Sequence, residues 1–276
     1  MFYQYRVYLY LESLYLAKMK HVKISVADTL ISSFLFIFVV SFPFQYFANH
    51  LPNYVITILE LCLRMFLTGY YLRLIFKYNI PLGKINFKNL LFFIPFLLAT
   101  FTNLLAFPFA DEVATLSFNW VMILDILIIV FTAFNEEILF RLFIYNSLRI
   151  ENRLLKILAG AGIFGAFHLL NLITPSFLAV YQSVLIQSIY TFALGLILCF
   201  MYEFVASIIP CIVFHFIFNF FNQFLVTAMF YPIYSNYFPL YAALTIGCAL
   251  TIYGILLYIF RFKKDPNSLS YNQYFD

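Results

Sequence analysis

The chain has 276 residues, of which 64% are hydrophobic and 10% charged. Soluble domains carry about a quarter charged residues, so a water-covered globule is excluded. The formal net charge of +4 marks no nucleic-acid footprint, because the basic residues fall in alternate loops between apolar runs. Those runs are continuous and about twenty residues long, the length of a bilayer-spanning helix, whereas a barrel would show alternation. The predicted fold class is all-α: a polytopic membrane protein of eight transmembrane helices in one bundle, a single integral-membrane domain over residues 1–276.

Residues 1–24 are predicted to be a cytoplasmic, interfacial segment. Tyrosine and leucine alternate there with Arg6, Glu12, Lys18 and Lys20, and no small-residue cleavage site follows. Spans are then predicted at 25–48, 54–76, 89–108, 117–141, 156–173, 178–202, 205–229 and 239–261. Cytoplasmic loops are enriched in Lys and Arg. Arg6, Lys18, Lys20 and Lys23 precede span one, and Lys77, Lys84 and Lys88 follow span two. Arg149, Arg153 and Lys156 follow span four, and Arg261, Lys263 and Lys264 follow span eight. The intervening connections (NHLPN, the stretch around Asp111 and Glu112, NLITPS and YPIYSNYFP) contain neither residue. Only the turn after span six, near Glu203, is silent. This pattern places both termini in the cytoplasm. Cys62, Cys199, Cys211 and Cys248 lie inside apolar runs without paired spacing. They read as small buried side chains, not as a disulfide framework or zinc knuckle.

Ionisable groups inside a span cost on the order of 2.5 to 3.5 kcal/mol each on insertion scales and are functional by default. Asp28, at the cytoplasmic start of span one, is expected to cap a helix or reach headgroup water. Glu60 and Arg64 stand four apart on one helix and form a self-neutralising structural pair. Asp125 lies mid-span and is expected to make a structural hydrogen bond. His21 and His50 fall outside the spans and carry no assigned chemistry. The stretch AFNEEILFRLF, residues 133–143, differs from these. Glu137 and Arg141 are four apart and pair along one face. Glu136 points about 100° away from Glu137 and stays freer. One carboxylate is thereby held ionised while its neighbour can take a proton.

His168 in span five and His215 in span seven both lie roughly 15 to 18 Å in from the cytoplasmic side at the helical rise. Span four brings Glu136 towards the same depth from the other direction. Asn219 shares the face of His215, and Phe164 that of His168. Gly160, Gly162 and Gly165 would let the helix carrying His168 approach a neighbour closely. Two glutamates, two histidines and an asparagine from three helices thus converge towards one site on the cytoplasmic side. A carboxylate beside histidines in a partly dehydrated cavity activates water, and His or Asn donors stabilise an oxyanion. That is apparatus for amide hydrolysis. No serine or cysteine stands in a nucleophile arrangement with these groups. Zinc held by Glu136, His168 and His215 is the alternative source of activated water, and the spacing, which is not HExxH, leaves that choice open.

Glu136-Glu137-xxx-Arg141, Phe164-xxx-His168 and His215-xxx-Asn219 resemble, in order and each on its own span, the three motifs of the CPBP family of intramembrane proteases. That family includes the CAAX prenyl endopeptidases and bacterial bacteriocin-processing and self-immunity proteins. The resemblance covers a catalytic core at about residues 130–225. It implies that Glu136 is the general base, that Glu137 orients or binds with support from Arg141, and that His168 assists the water or a metal. It implies further that His215 and Asn219 stabilise the oxyanion, with Phe164 packed beneath. Family members are commonly labelled metalloproteases, and a metal-free glutamate mechanism has also been argued for them. The implied partners are the lipid bilayer and a peptide or membrane-protein substrate. Two other readings compete: a non-catalytic immunity or scaffold protein on the same fold, and a transporter relaying protons through Asp125, Glu136 and Glu137. Transporters often carry internal repeats or broken helices, and neither is evident in the sequence.

Overall fold

The computed structural model describes residues 24–42, 50–100, 120–173, 181–221 and 254. Almost all of the interfacial segment 1–24 and the eighth predicted span, apart from helical Gly254, lie outside the described residues, as do His21, Asp111 and Glu112. The described residues form an all-α structure in which one isolated bridge, Gly83 to Ser207, is the only extended pairing.

Helix α1 spans Val26–Val40. Its N-cap is Ser25, whose Oγ accepts from the Asp28 N–H at 3.0 Å. Asp28 is therefore not the cap. Its carboxylate instead accepts from Lys77 Nζ at 2.8 Å and from the Tyr78 hydroxyl, tying the start of α1 to the end of α2, Asn53–Lys77. Beyond α2 the chain turns through Asn79 and Gly83 at positive φ, a conformation that favours these two residue types. Asn86 caps a short turn, Phe87–Leu90, that winds through Leu91–Phe93 into α3, Ile94–Thr100.

Helix α4, Trp120–Glu137, does not end where the fourth span was drawn. It continues as a π-helix over Ile138–Tyr145. Helix α5, Arg153–Phe167, is capped by Asn152 and tightens at His168 into a 3-10 stretch, His168–Ile173. Helix α6 is Tyr181–Val205, and α7 is Ile209–Asn219, with Pro210 in its first turn, where a missing N–H costs nothing. The π-segment holds Arg141 and the 3-10 stretch begins at His168, both motif residues. Such π-segments are common at functional sites.

Among the described residues, Asn53–Lys77, Arg153–Leu172 and Gln187–Val205 are long and apolar enough to cross a membrane. The protein is a multi-pass membrane protein. Leu30, Phe34, Phe66, Phe76, Ile189 and Val213 stand exposed on the helix faces. Large apolar patches of this kind are liabilities in water and ordinary surface in lipid.

Helix α6 is the central element, buried almost continuously from Thr191 to Val205. Its contact with α5 depends on missing side chains. A Cβ at Gly160 would stand 3.3 Å from Cys199 Sγ, and 2.6 Å from the Tyr145 ring of the π-segment, and one at Gly165 would stand 2.9 Å from both Phe192 Cβ and the Ser188 carbonyl. From the opposite side, a Cβ at Gly195 would stand 3.1 Å from Ala161 Cα and from the Phe164 ring. The closeness lets Ser188 Oγ donate to the Gly165 carbonyl at 2.8 Å. Gly162, expected to share this role, has nothing within 4 Å. It occupies the outer face of the helix.

At one end of the bundle the α2–α3 loop is fastened to the α6–α7 turn. The Asn86 N–H donates to the Val205 carbonyl at 3.2 Å, and the Ile208 N–H and Ser207 Oγ donate to the Leu82 carbonyl at 3.1 and 3.0 Å. Asn89 Nδ2 donates to the Phe204 carbonyl at 2.7 Å. These bonds hold Ala206 at φ 56, a left-handed conformation that costs a non-glycine residue roughly 1 to 3 kcal/mol. Arg153, at the start of α5, stands 3.8 Å from Glu203 at the end of α6. Glu203, silent in the sequence pattern, is a buried carboxylate that accepts from the Tyr145 hydroxyl at 2.8 Å.

The glycine contacts set a clear expectation. Gly165→Leu should destabilise the fold by about 1–3 kcal/mol through overpacking against backbone, and Gly160→Leu likewise. Gly162→Ala should be neutral or stabilising by up to about 1 kcal/mol. Thermal unfolding of the detergent-solubilised protein, followed by loss of the monodisperse peak, separates the three.

Candidate active site

Helices α4, α5 and α7 meet where α4 passes into its π-segment. The deepest group is Glu137, whose side chain has no exposure. Its Oε1 accepts from His215 Nδ1 at 2.7 Å and stands 3.2 Å from Arg141 NH1. Arg141 is equally buried, and its guanidinium lies over the Phe164 ring, 4.3 Å from the centroid. The pairing expected along one helical face therefore survives the change of winding that begins at Ile138.

Glu136 occupies the opposite position. It is 8% exposed and borders a cavity of about 280 Å³. His215 Nε2 stands 3.6 Å from its Oε2, which is longer than a hydrogen bond. Adjacent residues thus divide: one carboxylate is held behind the wall by two cationic or donor groups, and the other faces the void without a side-chain hydrogen bond among the described residues.

His168 and Asn219 line the same cavity as Glu136 and His215. His168 Nδ1 lies 3.0 Å from the Phe164 carbonyl. A carbonyl only accepts, so Nδ1 carries the proton and Nε2 is left as the available atom. His215 follows the same logic, with Nδ1 donating to Glu137. Phe164 stands edge-on to both imidazoles, at 5.1 and 5.9 Å between ring centroids, and to Phe140 at 4.9 Å. It fixes the floor. All six residues singled out in the sequence therefore lie in one cluster. Glu136, His168, His215 and Asn219 face the cavity, and Glu137 and Arg141 lie behind it.

The cavity also has a wall that the sequence reading did not assign. Phe36 and Val40 of α1 and Glu60 and Arg64 of α2 border it, with Thr132, Asn171, Gln187, Tyr190 and Thr191. The Glu60–Arg64 pair exists as expected, with Arg64 Nε and NH2 donating to Glu60 Oε1 at 3.2 and 2.6 Å. It is more than self-neutralising, since Arg64 NH1 also donates to Thr132 Oγ1 at 2.8 Å. Thr132, Asn135 and Glu136 are polar residues at helical spacing in an apolar span, but Thr132 and Asn135 are not ionisable and so carry a weaker sequence signal. Asp125 is half-buried in α4 and makes no hydrogen bond among the described residues, so its expected structural bond is not found.

Zinc held by Glu136, His168 and His215 can be tested against this arrangement. Among the described residues no three His, Cys, Asp or Glu side chains are grouped to hold a metal ion. The available Nε2 atoms and Glu136 Oε2 border one void without closing into a three-ligand set.

Fold and site together define a multi-pass α-helical membrane protein with a carboxylate–imidazole cavity enclosed between its helices. Residues 117–221 match the family model described as type II CAAX prenyl endopeptidase Rce1-like, and this part of the chain is a domain of that family. No curated protein and no solved structure matches the chain.

The buried pair behind the wall gives a direct expectation. Arg141→Met leaves the Glu137 carboxylate buried beside His215 alone and should cost about 3–5 kcal/mol. Adding Glu137→Gln removes the stranded charge and should restore a large part of that loss. A double-mutant cycle on thermal unfolding in detergent measures the coupling.

Proposed function

We propose that the protein is an intramembrane endopeptidase that hydrolyses a peptide bond of a membrane-associated peptide or protein through glutamate-activated water. The observation that carries the reading is Glu136: a carboxylate without a side-chain hydrogen bond among the described residues, facing a cavity that two imidazoles and an amide also line. Glu136 Oε2 takes a proton from water, and the water oxygen bonds to the scissile carbonyl carbon. His168 Nε2, the acceptor left by its tautomer, orients that water. Charge gathers on the carbonyl oxygen as the carbonyl opens. The Asn219 amide N–H donates to it, with His215 beside it on the same face of α7. Glu136 then returns its proton to the leaving amine nitrogen as the C–N bond breaks. Glu137 and Arg141 hold His215 in register.

The catalytic core is taken as residues 130–225 of a single integral-membrane domain. Eight spans with both termini cytoplasmic, and a cavity towards the cytoplasmic side, agree with the Lys and Arg pattern. They agree also with the contacts Asp28–Lys77, Arg153–Glu203 and Leu82–Ile208, which join connections assigned to that face. Peptide processing or self-immunity in a bacterial membrane is the setting that the motif resemblance suggests.

The test compares peptides and membrane proteins of cells carrying wild type or Glu136→Ala at equal protein levels. At least one cleavage product should disappear in the variant. For a purified substrate the rate should fall by about 10²- to 10⁴-fold, the usual loss of a general base. An unchanged product set would instead favour a non-catalytic protein that binds a partner on the same fold.

A further inference from the structure

Glu136 is the group on which the proposed chemistry turns, and its own carboxylate does little to fix its position. His215 Nε2 is 3.6 Å away, and no side-chain hydrogen bond holds the carboxylate among the described residues. Glu137, by comparison, is anchored by His215 and Arg141. Whatever aims Glu136 into the cavity therefore acts through the backbone of α4.

Immediately before Glu136, α4 is fastened to α2 by three hydrogen bonds. Asn135 Nδ2 donates to the Arg64 carbonyl at 3.0 Å. Thr68 Oγ1 lies 2.8 Å from Asn135 Oδ1 and 2.9 Å from the Arg64 carbonyl. That carbonyl already accepts from Asn135, so the single hydroxyl proton is best used on Oδ1, and both ends of the Asn135 amide are then satisfied. Arg64 NH1 donates to Thr132 Oγ1 at 2.8 Å, with the guanidinium held from behind by Glu60 Oε1. Thr132 in turn donates to the Ile128 carbonyl at 2.6 Å.

Two attachment points give this arrangement its effect. Thr132 and Asn135 are three residues apart and share one face of α4. A single bond would leave α4 free to roll about it, whereas two bonds nearly one turn apart fix rotation and register together. With Asn135 turned to α2, the next residue is set about 100° around the helix, and that direction is into the cavity.

We propose that Asn135, clamped by Thr68 and the Arg64 main chain and seconded by the Arg64–Thr132 bond, is a positioning residue for Glu136. The clamp originates on α2, outside residues 117–221, so the family domain by itself lacks the part that aims its base. This inference rests on the hydrolase reading of Glu136.

The test uses the full chain in detergent or proteoliposomes. The probe is an internally quenched synthetic peptide spanning the site mapped by comparing wild-type and Glu136→Ala cells. Thr68→Val, close to isosteric, and Asn135→Ala should lower kcat by up to about 10²-fold, the effect of misplacing a reacting group by about 1 Å. KM should stay unchanged, because neither side chain lines the cavity. Thr68→Ser, which keeps the hydroxyl, should retain wild-type kcat. Rates are normalised to folded protein, and Tm is measured for each variant. Wild-type kcat per folded molecule in Thr68→Val and Asn135→Ala, beside an inactive Glu136→Gln, overturns the clamp alone and leaves the hydrolase reading standing. A fall in Tm without a fall in kcat overturns it too, since a merely structural tie has that signature. Full activity of Glu136→Gln overturns the hydrolase reading and the clamp with it.

Discussion

The site depends on a buried charge balance. Glu137 and Arg141 are both withdrawn from solvent inside a chain that has little other polarity to offer. Neither could be buried alone, since an unpaired buried charge is far costlier than a paired one. Together, with His215 donating to the carboxylate and Phe164 under the guanidinium, they form a rigid polar anchor. The anchor joins α4 to α7 and sets the ring of His215 in one tautomer. The helix that carries it changes winding at Ile138, directly after Glu137. The underwound segment keeps Arg141 within 3.2 Å of its partner.

This anchor explains why two adjacent glutamates behave differently. The pair occupies successive positions on one helix and therefore two directions. The direction of Glu137 holds His215 and Arg141, and that of Glu136 opens on a cavity. One residue acts by not moving, and the other is left able to exchange a proton. The polar network on α2 completes the division from the opposite side. Its hydrogen bonds lie among apolar helices, where an unmet polar group has no water to turn to.

Close packing supports this geometry. The glycines of α5 and α6 bring those helices together until backbone meets ring and carbonyl, and Phe164 is thereby pressed beneath both imidazoles. At one end of the bundle, the loop around Leu82 and the turn at Ala206 hold each other through backbone hydrogen bonds. The start of α7, and with it the placement of His215, is fixed from outside the helix.

The sequence by itself determined the class of protein and the identity of its polar centre. Composition and run length require a helical membrane protein. Glu136, Glu137, Arg141, His168, His215 and Asn219 were legible because ionisable and amide groups are conspicuous in apolar spans. The all-α architecture and the Glu60–Arg64 pair followed from the same reasoning. Other features were not legible. The cap at Ser25, the π-winding after Glu137, the 3-10 turn at His168 and the outward face of Gly162 depend on which helix lies against which. So do the buried role of Glu203 and the α2 wall of the cavity. Hydrophobic periodicity says little about partners when nearly every face is apolar. Thr68, Thr132 and Asn135 look neutral in the sequence because a hydroxyl or amide acquires meaning only from the group opposite it, and tertiary packing alone brings that group within reach.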